Sequence, residues 1–234
     1  MEKIKEEVPE KLRIAVLLSF ISGYINAFTY NNAGELFAGA QTGNVIFMAL
    51  HFAKGNLEKA VEFLIPIISF MIGQIFIYCF RNFFQRRGHK GYIHSSLLML
   101  FIMVMLILLL PFFDYHFIVV TLAFFAAIQS DTFQRLRGFS YATIMMTGNV
   151  KNAPRLLIEG LVQRDRELLV RGFLLFLIIF SFMLGVGMST YFTQFVKKSA
   201  LVPLILPLSY INYVLFKEEH SVIDVVKSKI KKIK

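Results

Sequence analysis

Apolar residues in this chain fall in long unbroken runs rather than alternating with polar ones. Gly172–Val196 carries no charged side chain, nor does Ser95–Phe113, nor Ser199–Phe216. A helix needs about 20 mainly apolar residues, at roughly 1.5 Å each, to cross about 30 Å of hydrocarbon. The runs therefore predict helices that span a bilayer, over residues 13–31, 61–80, 95–113, 117–134, 172–193 and 199–216. Two apolar stretches are left over, 36–52 and 139–149, and each contains the tripeptide Thr-Gly-Asn.

Charge decides whether those two stretches cross, because short cytoplasmic loops carry an excess of Lys and Arg. The basic segments are Arg81–Lys90, Lys151–Arg171 and Lys217–Lys234. If the N-terminus is inside and neither leftover stretch crosses, all three fall on the cytoplasmic side, with Arg135 and Arg137. Lys197 and Lys198 alone are then misplaced. Eight spans would instead export Arg86, Arg87 and Lys90, so six spans fit better. Composition agrees: 56% of residues are apolar and 17% charged, too little polar surface for a soluble core of this size. Met1–Arg13 mixes four basic residues with four glutamates, unlike a signal peptide, so the first span is expected to be retained.

The chain also repeats itself. Thr42-Gly43-Asn44 recurs as Thr147-Gly148-Asn149, and Ser69-Phe70-Met71-Ile72-Gly73 recurs as Ser181-Phe182-Met183-Leu184-Gly185. The second spacing is seven residues longer, which the polar insertion around Gln163–Glu167 absorbs. Two matches in the same order in each half predict an internal duplication. Three crossings per half force the halves into opposite orientations. The predicted fold is thus an all-α integral membrane protein with six transmembrane helices in two inverted three-helix repeats. Each repeat holds a short broken or re-entrant Thr-Gly-Asn segment. The divisions are residues 1–12, a cytoplasmic segment; 13–113 and 114–216, the two repeats; and 217–234, a basic tail.

Glycine permits positive φ or close approach, threonine can cap a broken helix, and asparagine both donates and accepts. Two broken helices aiming their ends at one point suit an ion, a polar solute or water. The plainer reading is that these small polar residues let helices approach and hydrogen-bond. The candidate substrate-binding set is Asn26, Gln41, Thr42, Gly43, Asn44, Gln129, Asp131, Thr147, Gly148 and Asn149. Asp131 lies near the inner end of its span and close to Arg135 and Arg137, where an interfacial ion pair competes with a proton or cation role. Ser181, Gly185 and Ser189 form a small-residue stripe that reads as a helix contact surface.

Other chemistry finds no footing. The five histidines are scattered without metal spacing, Cys79 is the only cysteine, and no acid–base pair supports an enzyme. No cofactor, catalytic group or metal site is expected, and the basic charge lacks any nucleic-acid module. In the tail, Val222, Val225, Val226, Ile230 and Ile233 share one helical face among lysines. That pattern fits an amphipathic helix on anionic lipid head groups, or a solvated tail. The expected partners are thus the bilayer, these head groups and an unknown small solute or ion, with a homo-oligomer left open.

Gly23-Tyr24-Ile25-Asn26-Ala27 followed by Phe37-Ala38-Gly39-Ala40-Gln41-Thr42-Gly43-Asn44 resembles the N-terminal signature of the YoaK family, bacterial multi-pass membrane proteins of unknown function. Ala127-Ile128-Gln129 ahead of Thr147-Gly148-Asn149 resembles its later motif. The similarity covers about residues 12–216. It implies an inner-membrane location and no established activity. The chain departs from the family pattern at Asn26, where Asp is usual, and at Gln129-Ser130, where Gln-Asn is usual.

Overall fold

The computed structural model describes residues 8–217. A 3-10 turn, Val8–Glu10, leads into α1 (Leu12–Asn32). There follow α2 (Gln41–Ala53), α3 (Leu57–Arg86), α4 (Gly91–Leu109) and α5 (Tyr115–Thr132). A small hairpin, β1 (Arg135–Leu136) and β2 (Phe139–Ser140), precedes α6 (Met146–Gln163) and α7 (Arg166–Val196). A 3-10 segment, Lys197–Leu204, then leads into α8 (205–217). The tail helix expected beyond residue 217 lies outside the described residues.

The six predicted spans overlap helices, although residues 110–113 lie beyond α4 and 199–204 lie in the 3-10 segment. Four helical runs are long and apolar enough to cross a membrane: Leu12–Asn32, Leu57–Arg86, Gly91–Leu109 and Arg166–Lys217. The last has 52 residues, length for two crossings, and it turns at Lys197, where φ is 47°. α5 falls outside these four because Gln129, Ser130 and Asp131 dilute its C-terminal turns. The hairpin is not foreshadowed by the apolar pattern. Arg137 and Gly138 both have positive φ, which a two-residue hairpin turn requires for its twist to match the strands.

Contacts define two ends of the bundle. At the basic end, Glu10 accepts from the N–H groups of Arg137 (3.0 Å) and Gly138 (2.7 Å). There too Arg81 Nη1 donates to Asp131 Oδ2 at 2.6 Å and to the Asp131 carbonyl at 2.8 Å. The Arg171 guanidinium lies 5.5 Å from the Phe139 ring. At the opposite end, Asn31 Nδ2 donates to Thr190 Oγ1 at 3.0 Å. Lys198 Nζ donates to the carbonyls of Leu110 and Phe113 and sits 5.0 Å from the Tyr115 ring.

α1 and α5 form the centre, with Ile14, Leu18, Ile25, Phe28, Leu122, Phe125 and Ile128 fully enclosed. α7 packs along α1 and α3 along α5, while α2 backs onto α3 and α6 onto α7. The outer faces of α3 and α7 stay apolar and exposed, at Ile68, Met71, Ile75, Phe173, Phe180 and Met183 among others. Two continuous apolar faces of this kind suit hydrocarbon and not water. This is an all-helical, membrane-type architecture.

Candidate functional site

Each Thr-Gly-Asn opens a short helix, and in each the asparagine clamps the loop that precedes it. Asn44 Oδ1 accepts from the Phe37 N–H (2.9 Å) and its Nδ2 donates to the Phe37 carbonyl (2.8 Å). Seven residues also separate Asn149 from Ala142, whose N–H and carbonyl make the same pair of bonds at 3.2 and 2.7 Å. Both asparagines are buried. Asn44 Nδ2 is held in addition by Gln41 Oε1 (2.9 Å), and Gln41 Nε2 donates to the Ala38 carbonyl (2.9 Å).

The long helices match in the same way. Ser69 Oγ donates to the Val120 carbonyl and Ser181 Oγ to the Val16 carbonyl, both at 2.7 Å. A Cβ on Gly185 would stand 2.9 Å from the Tyr24 nitrogen and closer still to the Phe20 carbonyl oxygen. One on Gly73 would stand 3.2 Å from the Phe124 carbonyl oxygen and 2.6 Å from the Ala127 Cβ. Ser181, Gly185 and Ser189 thus face α1 as the contact stripe that their spacing predicts.

Antiparallel pairing sets how deep the short helices reach. Phe47 and His51 of α2 stack on Phe63 of α3, and a Cβ on Gly172 of α7 would meet Leu157 and the Ala153 carbonyl of α6. Both short helices therefore start near the middle of their long partners and run outward, α2 to the opposite end and α6 to the basic end. Their leading loops meet: a Cβ on Gly39 would lie 2.5 Å from Ile144 Cγ2, 3.3 Å from Asn26 Nδ2 and 3.5 Å from the Ala126 Cβ. Gly39 stands three residues ahead of Thr42, and Ile144 three ahead of Thr147.

The candidate residues divide by what they touch. Asn26 Oδ1 accepts from the N–H groups of Gly39 (2.8 Å) and Ala40 (3.0 Å), and its Nδ2 donates to the Ser22 carbonyl (2.8 Å). Gln129 Nε2 joins the central helices by donating to the Leu18 carbonyl (3.0 Å) and Ser22 Oγ (2.7 Å), while its Oε1 has no partner. Asp131 pairs with Arg81 of α3, not with Arg135 or Arg137. Thr42 and Thr147 are exposed and cap neither helix. Gly43 packs on the Phe37 ring, whereas Gly148 faces open space.

Cavities lie on both sides of the Gly39–Ile144 contact. One, of about 550 Å³, is mainly apolar, between Asn26, Tyr30, Phe37, Phe47, Phe182 and Val186. The other, of about 310 Å³, is of mixed polarity and includes Ser130, Thr143, Gly148, Asn149 and Asn152. The repeat does not mark Gly39, Thr143 or Ile144, because the residues at equivalent places differ in type. Among the described residues no cluster of three or more His, Cys, Asp or Glu could hold a metal.

The fold and its paired short helices define an all-helical membrane-type protein organised around two loops that meet inside the bundle. A family model described as protein of unknown function (DUF1275) matches residues 14–213, and the chain belongs to that family. No curated protein and no solved structure matches it.

Proposed function

We propose that this chain is a six-span, cell-membrane protein of two inverted three-span halves that moves a small solute or ion past two re-entrant half-helices. The observation that carries this reading is the meeting of the α2 and α6 leading loops at Gly39 and Ile144, each held by an equivalent asparagine clamp. Irregular backbone at membrane depth is tolerated where it is buried in protein or lines a wet cavity, and half-helix ends at the midplane are where transporters hold solutes. α1, α3, α4, α5, α7 and the 3-10 segment continued by α8 supply the crossings. α2, with 13 residues, falls short of the roughly 20 needed, and α6 carries Lys151, Arg155 and Glu159.

The basic end faces the cytoplasm in this reading, with both termini there and the 217–234 tail near anionic head groups. Lys198 offends the charge rule at the other end, but its ammonium is taken up by carbonyls at the end of α4, where a cation is favoured. The binding groups are drawn from the ten candidates and the loops they position. Asn26, Gln41, Asn44 and Asn149 hold those loops; Gly148 lines the open cavity; Asp131 serves in an ion pair. No chemical reaction is assigned to the protein.

A membrane scaffold is the second reading, favoured by the asparagine amides being spent on their own loops. Flux in proteoliposomes separates the two, measured for a panel of small anions, cations and neutral solutes. Transport requires flux of at least one, abolished in Gly148→Leu with helicity and monodispersity retained. No flux for any member of the panel, or flux indifferent to Gly148→Leu, favours the scaffold.

A further inference from the structure

This inference rests on the paired half-helices and names what the second one binds. In the first half, the two N–H groups ahead of α2 are both satisfied by one amide oxygen, Asn26 Oδ1, at 2.8 and 3.0 Å. Their equivalents in the second half are the N–H groups of Ile144 and Met145, which have no acceptor among the described residues. The place of Asn26 is taken by Ser130, ten residues beyond Val120 as Asn26 is ten beyond Val16. The serine side chain is shorter, and its hydroxyl makes no hydrogen bond among the described residues.

A second observation is independent of the helix end. Thr143 stands where the first half has Ala38; it is 2% exposed, and its hydroxyl has no partner. Ser130, Thr143, Met145, Gly148 and Asn152 line the same cavity, which continues to Gln134 and Ser140 at the basic end. A buried hydroxyl left unsatisfied is costly, and one ligand accepting from it and from the two unpaired N–H groups would satisfy all three.

The chemistry of the lining narrows the ligand. The unpaired N–H groups can only donate and the hydroxyls can donate, and neither a carboxylate nor a Lys or Arg side chain lines the cavity. Without a carboxylate, a cation has nothing to neutralise it. The N-terminus of an 18-residue helix supplies roughly half a positive charge and favours anions. That half charge goes further toward balancing one negative charge than two. The first half displays the required geometry with a neutral oxygen.

We propose that Ser130, Thr143 and the N–H groups of Ile144 and Met145 form a binding site for a small, singly charged anion, entered from the basic end. Asn26 closes the equivalent place in the first half.

The test follows the thermal unfolding midpoint of the full chain in detergent against sodium chloride, nitrate or formate, with ionic strength balanced by sodium sulfate. The midpoint is expected to rise saturably with at least one of the three. Ser130→Asn, which supplies from the chain the oxygen that Asn26 supplies in the first half, removes the rise. Gly148→Leu removes it by filling the cavity, from a position where no protein atom lies within 4 Å of a new Cβ; it decides alone if Ser130→Asn does not fold. No saturable rise with any of the three, a rise lost when choline replaces sodium as the cation, or a rise surviving in a folded variant overturns the assignment. Anion binding without flux ends the transport reading and leaves the site standing, whereas flux indifferent to these anions does the reverse.

Discussion

Asn44 and Asn149 each satisfy a backbone N–H and a carbonyl seven residues upstream, in loops with no regular ladder to do so. Replacing either by leucine keeps the branched shape and the four side-chain heavy atoms and strands both backbone groups. Each buried group left unpaired costs about 1–3 kcal/mol, so both variants are expected to lose stability in denaturant titration of the detergent-solubilised protein. A stability change below about 0.5 kcal/mol would contradict the clamp. The importance of the tripeptides is legible in the sequence because Thr-Gly-Asn is identical in both halves. The roles within them are not, since the amides turn inward to their own loops while Thr42 and Thr147 stay exposed. Asp131 shows the same limit: its ion-pair partner, Arg81, is fifty residues away, although Arg135, four residues on, lines the same cavity.

At the scale of elements, α1 and α7 approach backbone to backbone through Gly23 and Gly185. Gly185→Ala forces a Cβ into the Phe20 carbonyl and the Tyr24 nitrogen; overpacking of this kind costs about 1–3 kcal/mol. Gly187→Ala, two residues on, meets no atom within 4 Å and is expected to be neutral or slightly stabilising, since alanine is the better helix former by about 1 kcal/mol. Equal midpoints for the two variants would mean that α1 and α7 do not pack as described. Long apolar helices and their small-residue faces are readable because period and composition encode them. The β1–β2 hairpin is not, because it rests on two positive φ values and on hydrogen bonds to Glu10. The break at Lys197 is equally silent, apart from a pair of lysines inside an apolar run.

For the whole molecule, the same contacts recur with the halves exchanged: Ser69 to α5 and Ser181 to α1, Gly73 to α5 and Gly185 to α1. That exchange places the outer ends of α2 and α6 at opposite ends of the bundle. The sequence predicts the inversion by counting crossings, but it cannot place Gly39 against Ile144, a contact between residues of unlike type. In the proposed arrangement the two half-helices emerge on opposite faces of the membrane. It is tested by replacing Cys79 with serine, introducing Lys54→Cys or Gln163→Cys, and labelling oriented vesicles with a membrane-impermeant maleimide. Both positions are exposed, at the outer ends of α2 and α6 respectively. The expected result is labelling of position 54 from the periplasmic face and of position 163 from the cytoplasmic face. Labelling of both positions from the same face would contradict the inverted architecture.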